Sequence, residues 1–172
     1  MADSATFETE RLLLRPHQPG DYENCRVLWT DTQVTRFIGG RPSTEEEAWA
    51  RFLRFFGLWA VLGFGYWVVI EKATGAYVGE VGFGDFHREM EPPLGPDPEM
   101  GWVLFPGFQG KGYASEAVAG GLAWLEAQRG PCRTTCMIDE DNLPSQKVAA
   151  RAGYREFARV DFKGKPVVLY ER

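Results

Sequence analysis

Three glycines, Gly107, Gly110 and Gly112, separate an apolar, strand-like run that ends at Phe105 from a helix-like run that opens at Tyr113. A strand that passes through glycines into a helix leaves several backbone N–H groups and the positive end of the helix dipole facing one point, which suits an anion. The chemistry offered is phosphate binding. Further along, Asn142 and Ser145 stand three residues apart at the mouth of a short helical stretch. Glu80 and Glu99 are carboxylates set into apolar strand-like runs, where a positioned acid or base could move a proton.

What the turn lacks narrows the phosphate it would take. A nucleotide P-loop requires a lysine after its last glycine, and Tyr113 occupies that place. The dinucleotide fingerprint is Gly-x-Gly-x-x-Gly, whereas Gly107-x-x-Gly110-x-Gly112 has that order reversed. Asp139 does end a following strand where a ribose-binding acid would sit, but only one strand–helix–strand unit is present. A glycine turn that serves only as a tight connection is the remaining bland reading.

The elements that must position these groups follow from pattern and punctuation. Strands are expected at 11–15, 66–71, 77–83, 99–105, 133–138, 156–162 and 166–170. Helices are expected at 21–29, 44–58, 112–128 and 144–152. Ser43 and Thr44 each have a glutamate three residues on, a doubled capping box, and Ala48, Phe52, Phe55 and Phe56 form the apolar face that follows. Pro92, Pro93, Pro96 and Pro98 exclude regular structure from 87–98, a loop whose lip carries Glu89, Glu91 and Asp97. The order predicts a single α/β domain over residues 1–172, with a mixed, mostly antiparallel sheet of about six or seven strands and about four helices.

The composition excludes several classes. A net charge of −5 from 19 Lys and Arg against 24 Asp and Glu argues against a nucleic-acid partner. Cys25, Cys132 and Cys136 form no CxxC pair, and only His17 and His87 could join them, so no metal site is expected. The first sixteen residues hold only Leu12–Leu14 as an apolar run, which is no export signal, so reduced thiols in a cytoplasm are expected. The uncharged stretch 55–70 is interrupted by Gly57, Gly63 and Gly65 and reads as a helix end, a loop and a buried strand rather than a membrane span.

The spacing Gln109-x-x-Gly112-x-Ala114 resembles the pyrophosphate loop of the GNAT superfamily of N-acetyltransferases. The stretch 138–154, with Asn142, Ser145, Gly153 and Tyr154, is similar to that superfamily's last motif. The stretches 8–16 and 29–48 resemble the subgroup that acetylates ribosomal-protein N-termini, so the resemblance spans about residues 8–170. It implies a sheet splayed at a coenzyme A site, acetyl-CoA as co-substrate, no metal, an amine acceptor such as a peptide N-terminus or a small amine, and compatibility with a homodimer.

The same resemblance implies roles. Trp102, Val103 and Leu104 would pair with the pantetheine arm, and the N–H groups of Gln109, Gly110, Lys111, Gly112, Tyr113 and Ala114 would take the pyrophosphate. Lys111 could add its side chain, and Asn142 would bond the arm. The amine attacks the thioester directly, so the three cysteines are packing residues. Glu99 is the base expected, with Glu80 in reserve and His87 behind both. The family's acidic tyrosine is replaced here by Ala149, which leaves Ser145 as the acid. Trp29, Phe37 and Ile38 would wall the acceptor pocket, with Glu80 and Glu99 beside it. A coenzyme A-binding protein without turnover, a small-amine acetyltransferase and a dinucleotide oxidoreductase remain alternatives, and the acceptor is open.

Overall fold

The computed structural model describes residues 5–172; residues 1–4, part of the stretch read as lacking an export signal, lie outside the described residues. Eight strands form one sheet: β1 (Phe7–Glu8), β2 (Leu12–Pro16), β3 (Tyr66–Glu71), β4 (Tyr77–Gly84), β5 (Glu99–Leu104), β6 (Thr135–Asp139), β7 (Arg155–Phe162) and β8 (Lys165–Glu171). Their order across the sheet is β1-β2-β3-β4-β5-β6-β8-β7. Five helices accompany them: α1 (Tyr22–Thr30), α2 (Thr32–Thr35), α3 (Glu45–Leu62), α4 (Tyr113–Arg129) and α5 (Leu143–Arg151). The elements beyond the expected count are the two-residue β1 and the single-turn α2, both too short for periodicity to mark.

Local chemistry starts and stops the helices as expected. Thr44 Oγ1 accepts from the Glu47 amide at 3.2 Å while Glu47 returns the bond to the Thr44 amide at 2.8 Å, and Gly63 ends α3 in the left-handed region at φ 73°. The helix therefore runs a turn beyond residue 58. Its buried face is Ala48, Phe52, Phe55 and Leu58, whereas Phe56 lies at the surface. The uncharged stretch 55–70 resolves into the end of α3, the Gly63 turn and buried β3. No helix among the described residues is long and apolar enough to cross a membrane.

Alternation along the strands sorts two cores to the two faces of the sheet. Trp67, Val81, Phe83, Met100 and Leu104 pack beneath α4, while Tyr66 and Val103 pack with Phe52, Phe55, Leu28 and Trp29 from α3 and α1. Each fully buried side chain of this size contributes about 1.5–3 kcal/mol.

Every strand pair is antiparallel except β5 with β6, which are parallel and share a single register pair, Glu99 with Thr135. Over its whole length β6 is instead paired with β8. Beyond Glu99 the edge of β5 consequently has no strand partner, and the sheet opens into a wedge.

Candidate active site

The direction of each backbone group along β5 is fixed by two hydrogen bonds. The amide of Phe105 donates to Val78 O on β4 at 3.0 Å, and Pro98 O accepts from the Thr135 amide on the β6 side at 3.1 Å. Backbone groups alternate sides along a strand. Val103 thus faces β4, and Trp102 and Leu104 turn their N–H and C=O groups to the open edge. Of these, Leu104 O is already taken by the Gln109 side-chain amide at 3.0 Å.

The glycine turn closes one end of the wedge. Gly110 and Gly112 adopt φ 75° and 82°, left-handed values that favour glycine. Gln109 spends its own amide on Pro106 O at 3.2 Å, so its expected part in the phosphate nest passes to its side chain's hold on β5. Among the described residues the amides from Gly110 to Ser115 have no backbone acceptor. They converge at the start of α4, as a phosphate requires. Lys111 lies outside the cleft lining, its Nζ 5.2 Å from the Phe108 ring centroid.

A residue that the sequence reading missed braces this turn. Arg11 donates to Lys111 O at 2.9 Å, pairs with Glu116 of α4 at 2.7 Å and lies 4.4 Å over the Tyr113 ring. Tyr113 in turn donates its hydroxyl to Glu71. Only the acidic residue in the first turn of α4 hinted at such a partner.

Helix α5 supplies the facing wall. Asn142 Oδ1 caps the helix by accepting from the Ser145 amide at 3.2 Å, which leaves its NH2 group without an intramolecular partner among the described residues. The Ser145 hydroxyl accepts from Trp102 Nε1 at 3.2 Å. Between these walls lies a cleft of about 370 Å³ that Trp102, Val103, Leu104, the glycine turn, Asn142, Ser145, Phe37 and Ile38 all line. Lys147 and Arg151, one helical turn apart on α5, also line it. Among the described residues no Asp, Glu or His does.

The structure separates the two expected carboxylates from that cleft. Glu80 is fully buried and accepts from Trp29 Nε1 at 2.7 Å and the Tyr77 hydroxyl at 2.8 Å, with His17 Nε2 at 3.3 Å. Burial pushes its carboxyl up, but the bonds from His17, Trp29 and Tyr77 outweigh that and hold it below its ordinary value. Trp29, expected on the acceptor wall, is buried in this network because its indole N–H needs the carboxylate. Glu99 is buried too, and each of its oxygens accepts from Arg88, at 2.7 and 2.8 Å. Of the acidic lip, Asp97 pairs with Arg133, as Glu99 of β5 does with Arg88. His87 is exposed beside Asp85, 3.4 Å away.

Cys25 and Cys136 are buried thiols whose pKa burial raises, and all three cysteines are unpaired. No cluster that could hold a metal ion occurs among the described residues. Ala149 is buried within the core, so the position of the family's tyrosine is filled by packing.

Residues 11–155 match the acetyltransferase (GNAT) domain family. The chain belongs to the GNAT family. A GNAT-family acetyltransferase from Bordetella pertussis superposes with a TM-score of 0.86 at 30% identity, covering 97% of this chain and 98% of that one. The uncharacterized N-acetyltransferase YnaD of Bacillus subtilis (strain 168) is 29% identical over 147 residues, 86% of this chain and 81% of the relative. A ribosomal L7/L12 α-N-protein acetyltransferase solved with coenzyme A has a TM-score of 0.76 over 95% of this chain and 94% of that one, at 16% identity, a likeness of fold alone. As a GNAT enzyme the protein is an acyltransferase that uses acetyl-CoA and an amine.

Proposed function

We propose that this enzyme acetylates an α-amine at the end of a peptide. The supporting observation is that among the described residues no Asp, Glu or His lines the cleft. At pH 7, deprotonating an α-amine of pKa near 7.7–8 costs about 1–1.4 kcal/mol, against about 4.6 kcal/mol for lysine. A cleft without a base suits the first amine. The ribosomal-protein acetyltransferase among the structural neighbours acts on such a group.

The residues fit the donor. The Gly110–Ser115 amides suit a pyrophosphate, with Lys147 and Arg151 as further cations; the open groups of Trp102 and Leu104 and the Asn142 NH2 suit an amide-bearing arm. Acetyl-CoA supplies a thioester whose acetyl carbon gains the amine nitrogen as the C–S bond breaks. The Trp102 and Leu104 amides are donors that can polarise a carbonyl on that edge. The amine's proton leaves to water, and the Ser145 hydroxyl relays a proton to the departing sulfur and takes one back from water, so that the serine ends the turnover as it began. Glu99, with both oxygens held by Arg88, fastens the loop to β5 rather than taking the proton. The unpaired cysteines support a reducing compartment such as the cytoplasm.

Thermal melting with acetyl-CoA and with NAD, followed by thiol release on a panel of peptides, lysine derivatives and polyamines, tests this. Ligand at a hundred times its Kd should add about 2.7 kcal/mol, roughly 5–10 °C for a chain of this size. A shift with NAD alone, or turnover confined to lysine-like amines, refutes the proposal.

A further inference from the structure

On α3 the chain holds positive charge that it does not neutralise, half-buried at Arg51 and exposed at Arg54. Arg51 is half-buried, its guanidinium 3.6 Å over the Trp29 ring, and its Nε is buried with no hydrogen-bond partner. One helical turn on, Arg54 lies 5.3 Å over the Phe86 ring, and Arg88 flanks the same ring at 4.9 Å. Arg88 has Glu99, whereas neither Arg51 nor Arg54 has an ion-pair partner among the described residues. The nearby carboxylate, Glu80, is already occupied by His17, Trp29 and Tyr77. A buried charge without a partner is expensive, and a guanidinium fork matches the geometry of a carboxylate.

These cations do not line the cleft and are connected to it through packing. Trp29, which Arg51 covers, packs in one cluster with Val34 and Val103, and both valines line the cleft. Phe86 packs against the same cluster. Glu99, Gly101 and Val103 share one face of β5, and the Tyr66 ring lies against Gly101 there.

We propose that Arg51 and Arg54 receive a carboxylate of the acceptor, so that the preferred substrate is an amine with an acid group a few bonds away. The proposal rests on the amine-acetylation reading above. A peptide with Asp or Glu near its first residue and a free α-amino acid share this chemistry.

The test uses four acceptors: a peptide with Asp at its second position, its Asn counterpart, a free α-amino acid and the corresponding amide. Each is assayed for kcat/KM with acetyl-CoA and, independently of turnover, for binding by calorimetry in the presence of coenzyme A. The acid form should be favoured about tenfold in at least one pair, which also tells peptide from amino acid. Arg54→Gln, at an exposed position, should abolish that preference while acetyl-CoA affinity and melting temperature hold; Arg51→Lys should reduce it. Equal kcat/KM for acid and neutral acceptors, or a preference that survives Arg54→Gln, overturns the proposal and leaves acetyl transfer standing. Acid-selective binding without turnover supports the carboxylate site and removes the acetyl-transfer reading; no selectivity in either measurement overturns the proposal.

Discussion

The Trp102 indole of β5 donates to the Ser145 hydroxyl of α5 across the opening of the sheet, at 3.2 Å. A hydroxyl that accepts one bond keeps its proton free to donate, and the incoming N–H draws electron density from the oxygen and makes that proton easier to lose. Ser145→Ala is expected to lower kcat about 100-fold, the lower range for a general acid, with acetyl-CoA affinity within about twofold. Trp102→Phe should lower kcat less, since it removes the polarising bond and keeps the acid. Steady-state kinetics and calorimetry separate the two effects; an unchanged kcat in Ser145→Ala removes the serine from the chemistry.

Gly112 sets the approach to the α4 amides. Its φ of 82° and the Arg11 Nη2 atom 3.3 Å from where a Cβ would stand make any side chain there strained and crowded. Gly112→Ala should weaken acetyl-CoA binding about tenfold, as expected of a left-handed penalty near 1–2 kcal/mol, and Gly112→Val more. Unaltered affinity by calorimetry would place the pyrophosphate elsewhere.

Arg11 touches the turn from the opposite end of the sequence. Arg11→Ala removes the bond to Lys111 O and the ion pair with Glu116, so acetyl-CoA should bind about three- to tenfold more weakly, with kcat nearly unchanged at saturation. On the proposed reading the three positions sort by distance from chemistry: Ser145 should act on kcat, Gly112 on affinity, and Arg11 on affinity through another residue.

Buried Glu80 should govern acid stability. Its folded pKa lies below the ordinary carboxylate value because hydrogen bonds overcome burial, so its contribution is complete above the unfolded pKa, near 4.3, and is lost as pH falls through the folded value. Glu80→Gln is expected to destabilise by about 3 kcal/mol at pH 7, since it disturbs a buried network of donors. The gap between variant and wild type in urea melts should narrow below about pH 4.3; a gap independent of pH would mean that the charge of Glu80 is not what stabilises the fold.

Glu99→Gln distinguishes a base from a brace. Both oxygens accept from Arg88, so the variant should lower turnover of α-amines and lysine-like amines by the same factor. A loss concentrated on lysine-like amines would restore Glu99 as the base.

The glycine turn, the α3 cap and the Asn142–Ser145 pair were legible because each rests on local backbone chemistry that spacing records. The turn's brace was not, since Arg11 and Glu116 are 105 residues apart and neither type announces its partner. Glu80 and Glu99 show the converse limit. Alternation marks a carboxylate's face of a strand, but Trp29, Tyr77, His17 and Arg88 arrive from other elements and decide whether that carboxylate stays available. The backbone polarity of β5 was legible only as a strand; assigning Trp102 and Leu104 to the open side took two hydrogen bonds that no side chain reveals.

The lone Glu99–Thr135 rung makes a hinge of the sheet's middle. On one side of it are five strands and on the other three, joined over the rest of their facing edges by no ladder. On the proposed reading a donor lying along Trp102 and Leu104 would act as a ninth strand, and its recognition and the stiffening of the hinge would become one event. Protection from amide hydrogen exchange should then rise at Trp102 and Leu104 on donor binding, ahead of any change in the continuous ladder of β2, β3 and β4.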